Sequence, residues 1–221
     1  MKRFALLATL LIGFSALAQE RPIITSAIIA VDQNNDLAEA KKYIDEAAAI
    51  ISTKPESEMR SKDLSKFYFY KGKINYQIHT SNDPKIKELE PDALDKALEG
   101  FTQLLEFEKR VDDERYTDDT KPLMISVAND IAKRAYAAGQ KEEYQAAYDD
   151  FMMVYKLKQQ DPMNTVDTNM LYNAAIMAQN TNNFEKALEL NQKLMEMGYK
   201  GVTFTAVNKE TGETQFFPDK R

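Results

Sequence analysis

The 221-residue sequence has no cysteine, no tryptophan and a single histidine, His79. Without cysteine no disulfide can staple the fold, and there is no thiol to carry the lipid that bacterial lipoproteins attach at their processing site. One histidine has no second histidine or cysteine with which to share a metal ion, so His79, beside Thr80-Ser81-Asn82-Asp83, reads as a surface residue at a helix end. A Ser-His-Asp triad would need that same histidine, and the chain has no Gly-x-Ser-x-Gly elbow. An excess of positive charge is also missing: 29 basic residues stand against 35 acidic ones. The lysines and arginines are interleaved with Glu and Asp, as in Lys41-Lys42 near Asp45-Glu46, and read as solvated faces. This excludes the clustered cations that nucleic acid requires, and a net charge of −6 is repelled by anionic lipid.

What is present begins with the N-terminus. Met1-Lys2-Arg3 is basic, Phe4 to Phe14 is apolar, and Ala16-Leu17-Ala18 supplies small residues before Gln19. That order is a secretory signal peptide over residues 1–18, with cleavage before Gln19. No second apolar segment of about 20 residues follows, so the mature chain has no integral membrane segment. Export to the periplasm or cell envelope as a non-lipidated protein is expected. Losing Lys2 and Arg3 from the 29 basic residues against 35 acidic ones takes the mature charge to near −8.

The remaining chain has helical periodicity almost throughout. Apolar residues at three- and four-residue steps predict helices near 22–32, 36–52, 57–79, 91–110, 120–139, 141–159, 167–181 and 183–197. Pro55, Pro84, Pro91, Pro122 and Pro162 lie in the gaps or in first turns. The order of large and small residues repeats. Leu171, Ala174, Ala175 and Ala178 are followed, across Thr181-Asn182-Asn183, by Phe184, Ala187, Leu188, Leu194 and Met195. Upstream, Ile131, Ala135 and Ala138 precede Tyr144, Ala147, Phe151 and Val154, with Gly139-Gln140-Lys141 expected at the turn. A third copy pairs Phe67-Tyr68-Phe69-Tyr70 and Gly72 with Ala97, Phe101 and Leu104 across an insert from His79 to Pro91, and a fourth joins Ile24, Ala27, Ile28 and Val31 to Leu37, Ala40, Ile44 and Ala47. Repetition of this kind predicts stacked helix hairpins, small residues standing where backbones approach. After Gly198 the pattern changes: Val202 to Val207 and Thr214 to Phe217 are rich in branched and aromatic residues around Asn208 to Gly212, which predicts a β-hairpin over 202–217. No polar terminal helix follows, so further repeats are expected in the full-length protein.

At these positions the chain resembles the tetratricopeptide repeat (TPR) family. Residues 168–201 have that family's 34-residue length, and Leu171, Ala175, Phe184, Ala187 and Leu194 stand at its signature positions. The resemblance implies an all-α protein, an α-solenoid of antiparallel helix pairs over residues 19–201 with a concave groove that binds peptide or protein.

The first helix of each pair would project Lys66, Tyr70 and Lys73, then Asn129, Lys133 and Tyr136, then Asn169, Tyr172 and Asn173 into such a groove. Asparagine pairs with peptide backbone, tyrosine offers area with one polar tip, and lysine holds a carboxylate. Lys133 and Asn173 match the family positions that clamp a C-terminal carboxylate. The alternative is that the tyrosines pack between repeats while Lys and Asn are merely hydrated. Asp32-Gln33-Asn34-Asn35-Asp36 opens like a calcium loop, but Leu37 replaces its glycine and Tyr43 its glutamate, so it reads as helix capping. Asp112-Asp113-Glu114, Asp118-Asp119 and Asp149-Asp150 read as hydrated carboxylates. The expected protein is a non-enzymatic scaffold without cofactor or metal whose partner is a protein or peptide. A small-molecule or glycan receptor using the tyrosine faces is the alternative.

Overall fold

The computed structural model describes residues 20–160, 163–201, 204–207 and 214–217. The proposed signal peptide, Gln19 and Asn208 to Gly212 lie outside the described residues. The described chain is built of helices: α1 (Glu20–Asp32), α2 (Leu37–Ile51), α3 (Ser61–Thr80), α4 (Pro84–Lys87), α5 (Ala93–Val111), α6 (Thr117–Gln140), α7 (Tyr144–Gln159), α8 (Thr168–Asn180) and α9 (Phe184–Glu196), with a 3₁₀ turn at Glu56–Glu58. They form two compact units, one ending at Thr120 and one beginning at Lys121.

In the first unit α1 packs on α2, α2 on α3, and α3 on α5. Ile24, Ala27, Ala30 and Val31 of α1 meet Ala40, Ile44 and Ala47 of α2 and Phe67, Ile74 and Ile78 of α3 in one core. The α3–α5 crossing is set by two glycines. A Cβ on Gly100 would lie 2.5 Å from the Gly72 amide nitrogen, and one on Gly72 would enter the Phe101 ring. Backbone meets backbone here, and no side chain fits. The insert between α3 and α5 carries the four-residue helix α4, capped by the Asp83 carboxylate on the Lys85 amide.

The second unit contains two helix hairpins, α6–α7 and α8–α9, whose turns are copies. Glu142 and Asn182 both take left-handed φ, 65° and 60°. The next amide, Glu143 or Asn183, then donates back to the carbonyl of Ala138 or Ala178, each at 2.9 Å. This closes the last turn of the preceding helix and satisfies carbonyls that would otherwise have no partner. Buried Ala135 and Ala175, and Ala147 and Ala187, hold equivalent places on either side. The same closure ends α9, where Gly198 has φ 72° and Tyr199 donates to the Leu194 carbonyl. Beyond it, Phe204–Val207 and Thr214–Phe217 pair antiparallel, with Phe204 opposite Phe217.

Several expectations need correction. Gly139 and Gln140 are helical, and the turn is Lys141–Glu143, because the left-handed position is Glu142 rather than the glycine. The third helix starts at Ser61, since Met59 is extended and detaches the turn at Glu56–Glu58. Helix α6 starts earlier than residue 120, because the Glu108 carboxylate, fully buried on α5, accepts from the amides of Tyr116 and Thr117 and from the Thr117 hydroxyl. Lys41 is not a solvated residue: it is 6% exposed and pairs with Glu90 at 3.1 Å and with Asp45. The apolar residues of α9 divide. Ala187, Leu190 and Leu194 are buried, but Phe184, Leu188 and Met195 are exposed.

Candidate functional site

In the second unit, helices α6 and α8 carry six of the nine singled-out residues, and one hydrogen bond joins two of them. The Asn173 amide on α8 donates to the Tyr136 hydroxyl on α6 at 2.9 Å. The Tyr136 ring meets Phe151 of α7 edge-on, with centroids 4.9 Å apart, while 47% of the residue remains exposed. Burial of its ring side pushes the Tyr136 phenol up from its ordinary value, so it acts as a neutral donor and acceptor at physiological pH. Lys133, one turn before, holds Asp130 at 2.9 Å with its own side chain 78% exposed. Next to Asn173 in sequence, Tyr172 is 39% exposed and its ring lies 5.4 Å from that of Tyr199, tilted by 41°. Asn129 is exposed one turn before Lys133, and Asn169 is half-buried one turn before Asn173, with its Oδ1 buried and unpartnered. Asparagine at 129 and 169, and Lys133 and Asn173, hold matching places in the two hairpins.

The other three candidates belong to the first unit. Tyr70 on α3 donates to one Asp32 oxygen at 2.6 Å, and the Lys73 ammonium donates to the other at 2.8 Å while lying 5.3 Å over the Tyr70 ring. Burial, then the bond to Asp32, pushes the Tyr70 phenol upward. Asp32 is the last residue of α1, where the helix dipole disfavours an anion, and the two α3 groups offset that cost. Tyr70 and Lys73 are therefore engaged in bracing α3 against α1. Lys66 stands exposed on α3, one turn before Tyr70.

Sequence reasoning missed three participants. Asp32 was grouped with the α1–α2 turn, whereas only Asp36 caps α2, accepting from the Glu39 amide. Asp150, grouped with hydrated carboxylates, is 8% exposed and gripped by both ends of the Arg134 guanidinium at 2.8 Å, tying α6 to α7. Its neighbour Asp149 does face solvent. Tyr199 follows the helix-ending glycine, a place where its aromatic ring was visible in the sequence but its neighbour Tyr172 was not. Among the described residues no three His, Asp or Glu side chains come together as a metal-binding group, and no helix is long and apolar enough to cross a membrane.

No protein-family model matches the chain, and comparison with curated proteins gives no significant similarity.

Proposed function

We propose that the chain is an exported, non-enzymatic scaffold of the bacterial cell envelope, built from TPR-like helix hairpins that bind a peptide segment of a partner protein across α6 and α8. The observation that carries this reading is the set Lys133, Tyr136, Tyr172 and Asn173 on α6 and α8, each at least partly exposed, with Asn173 and Tyr136 hydrogen-bonded across the two helices. It combines an extended cation, two aromatic surfaces and amide hydrogen-bonding groups over two helices, as peptide recognition requires. The rigid placement helps: Tyr136 is held by Phe151 and Asn173 before any ligand arrives, which lowers the ordering cost of binding. The Tyr136 and Tyr172 rings meet Phe151 and Tyr199 edge-on or tilted rather than as a parallel pair that could sandwich a sugar, so at α6 and α8 the peptide reading is preferred over the glycan one. The signal peptide, the solenoid arrangement and the C-terminal hairpin are parts of the same proposal.

Photo-crosslinking from position 133 in the native host, followed by pull-down of the mature protein from the envelope fraction, tests it. A defined partner protein should be captured, and capture should be lost when Tyr172 is changed to Ala. A crosslinking pattern unchanged by Tyr172→Ala would overturn the assignment of the site.

A further inference from the structure

Helix α9 carries an apolar stripe that its neighbours leave open. Phe184, Leu188 and Met195 keep 62%, 60% and 76% of their surface exposed, and their steps of four and seven residues place them on one helix face. The preceding hairpin shows what that face does. Counted from the equivalent alanines Ala147 and Ala187, the places of Phe184, Leu188 and Met195 are taken on α7 by Tyr144, Tyr148 and Tyr155. Tyr155 is buried, and Tyr144 and Tyr148 are half-buried. The cover comes from the following hairpin: α8 packs along α7, the Lys193 ammonium of α9 lies 5.0 Å from the centre of the Tyr155 ring, and the Tyr155 hydroxyl reaches the Met197 sulfur at 3.9 Å. Burial also pushes the Tyr148 phenol up, within range of the Lys186 and Glu189 charges of α9. On α7 the face is thus an interface between hairpins, and on α9 the same face is open and aliphatic or aromatic.

Its charge narrows the occupant. Exposed Glu185, Glu189 and Glu196 line one edge of the stripe. The two lysines of α9 do little to balance them, since Lys186 is bound to Glu189 at 2.8 Å and Lys193 is drawn to the Tyr155 ring. A second copy docked through the same helix would set Glu185 against Glu196 in an antiparallel pair, or each glutamate against itself in a parallel one, and both are repulsive. We propose that the Phe184–Leu188–Met195 face of α9 docks an amphipathic helix of a partner protein, one with aliphatic residues at three- and four-residue steps and a row of lysine or arginine along one edge. The aliphatic row takes the place that the α8–α9 hairpin takes on α7, and the basic row meets Glu185, Glu189 and Glu196. None of the α6–α8 residues is needed for it.

Two synthetic helical peptides of about four turns test this, alike in their leucine and alanine positions and carrying lysine along one edge in one peptide and glutamate in the other. The lysine peptide should bind the mature chain saturably in fluorescence anisotropy, and the glutamate peptide about tenfold more weakly or worse at low salt. Leu188→Asp and, separately, Met195→Asp, at exposed positions and with the helical circular dichroism unchanged, should each weaken the lysine peptide about tenfold or more. Glu185→Lys combined with Glu196→Lys should reverse the preference between the two peptides. Tyr172→Ala should leave the affinity unchanged, which separates this docking from peptide binding at α6 and α8. Absence of saturable binding, or binding that ignores both aspartate variants, would overturn the proposal. So would binding lost through Tyr172→Ala, or a dimer in sedimentation that Leu188→Asp abolishes, which would assign the face to a second copy.

Discussion

Glu142 is held at φ 65° in the α6–α7 turn, a region that costs a residue with a Cβ about 1 kcal/mol or more, whereas its counterpart Asn182 tolerates it. Glu142→Gly should therefore raise stability by about 0.5–1 kcal/mol, read as a higher denaturant midpoint at unchanged slope. A second residue-scale effect is acidic. Burial alone would raise the Glu90 carboxyl, but hydrogen bonds from Lys96 and Lys41 hold it below its ordinary value of 4.5. A carboxyl depressed in the folded state stabilises the fold above the unfolded value, and that contribution is lost as pH falls through the folded one. The unfolding temperature should drop as the pH falls below about 4.5, and Glu90→Gln should flatten that part of the profile. An unaltered profile in the variant would show that the Lys41–Glu90–Lys96 cluster does not respond in this way.

At the scale of elements, the same chemical change should have opposite signs at two glycines. Gly100→Ala drives a methyl into the Gly72 backbone and should destabilise by about 2 kcal/mol or more, because neither backbone can step aside. Gly139→Ala comes no nearer than 3.4 Å to any neighbour, the nearest being the flexible Met177 side chain, and improves helix propensity, so it should stabilise by about 0.5–1 kcal/mol. Thermal unfolding of the two variants checks both. The contrast also marks what was legible in the sequence. Helix existence and most boundaries were, because apolar spacing, Asp36 and Asn183 are local signals whose consequences fall within a turn or two. What was not legible depends on distant partners. The start of α6 is fixed by Glu108 from another helix, and the α3–α5 crossing needs Gly72 and Gly100 together. Tyr70 and Lys73 are claimed by Asp32, 38 and 41 residues away in the chain. Likewise the apolar spacing of α9 identified Phe184, Ala187, Leu188, Leu194 and Met195 without saying which of them a neighbouring helix covers. At the candidate site the spacing named Lys133, Tyr136, Tyr172 and Asn173, but the Asn173–Tyr136 bond arises only when neighbouring helix pairs pack together, and the Tyr172–Tyr199 contact only when the chain turns back after α9.

For the whole molecule, the proposal of export makes a direct expectation: protein recovered from its native host should begin at Gln19 and fractionate outside the cytoplasm. N-terminal mass spectrometry reads this, and intact Met1 in a cytoplasmic pool would refute export. Such a result would leave the peptide-binding proposal standing, since the α6–α8 face does not depend on processing. That face is tested most directly by selecting peptides from a displayed random library against the mature chain and measuring the affinity of an enriched peptide for variants. Binding energy concentrates in a few aromatic and charged anchors, so Tyr172→Ala should weaken binding by about 1–3 kcal/mol, roughly 5- to 150-fold. Asp118→Ala should leave the affinity essentially unchanged, and both proteins should keep the parent's unfolding temperature. Affinity that survives the combined loss of Tyr172 and Lys133 would contradict the account.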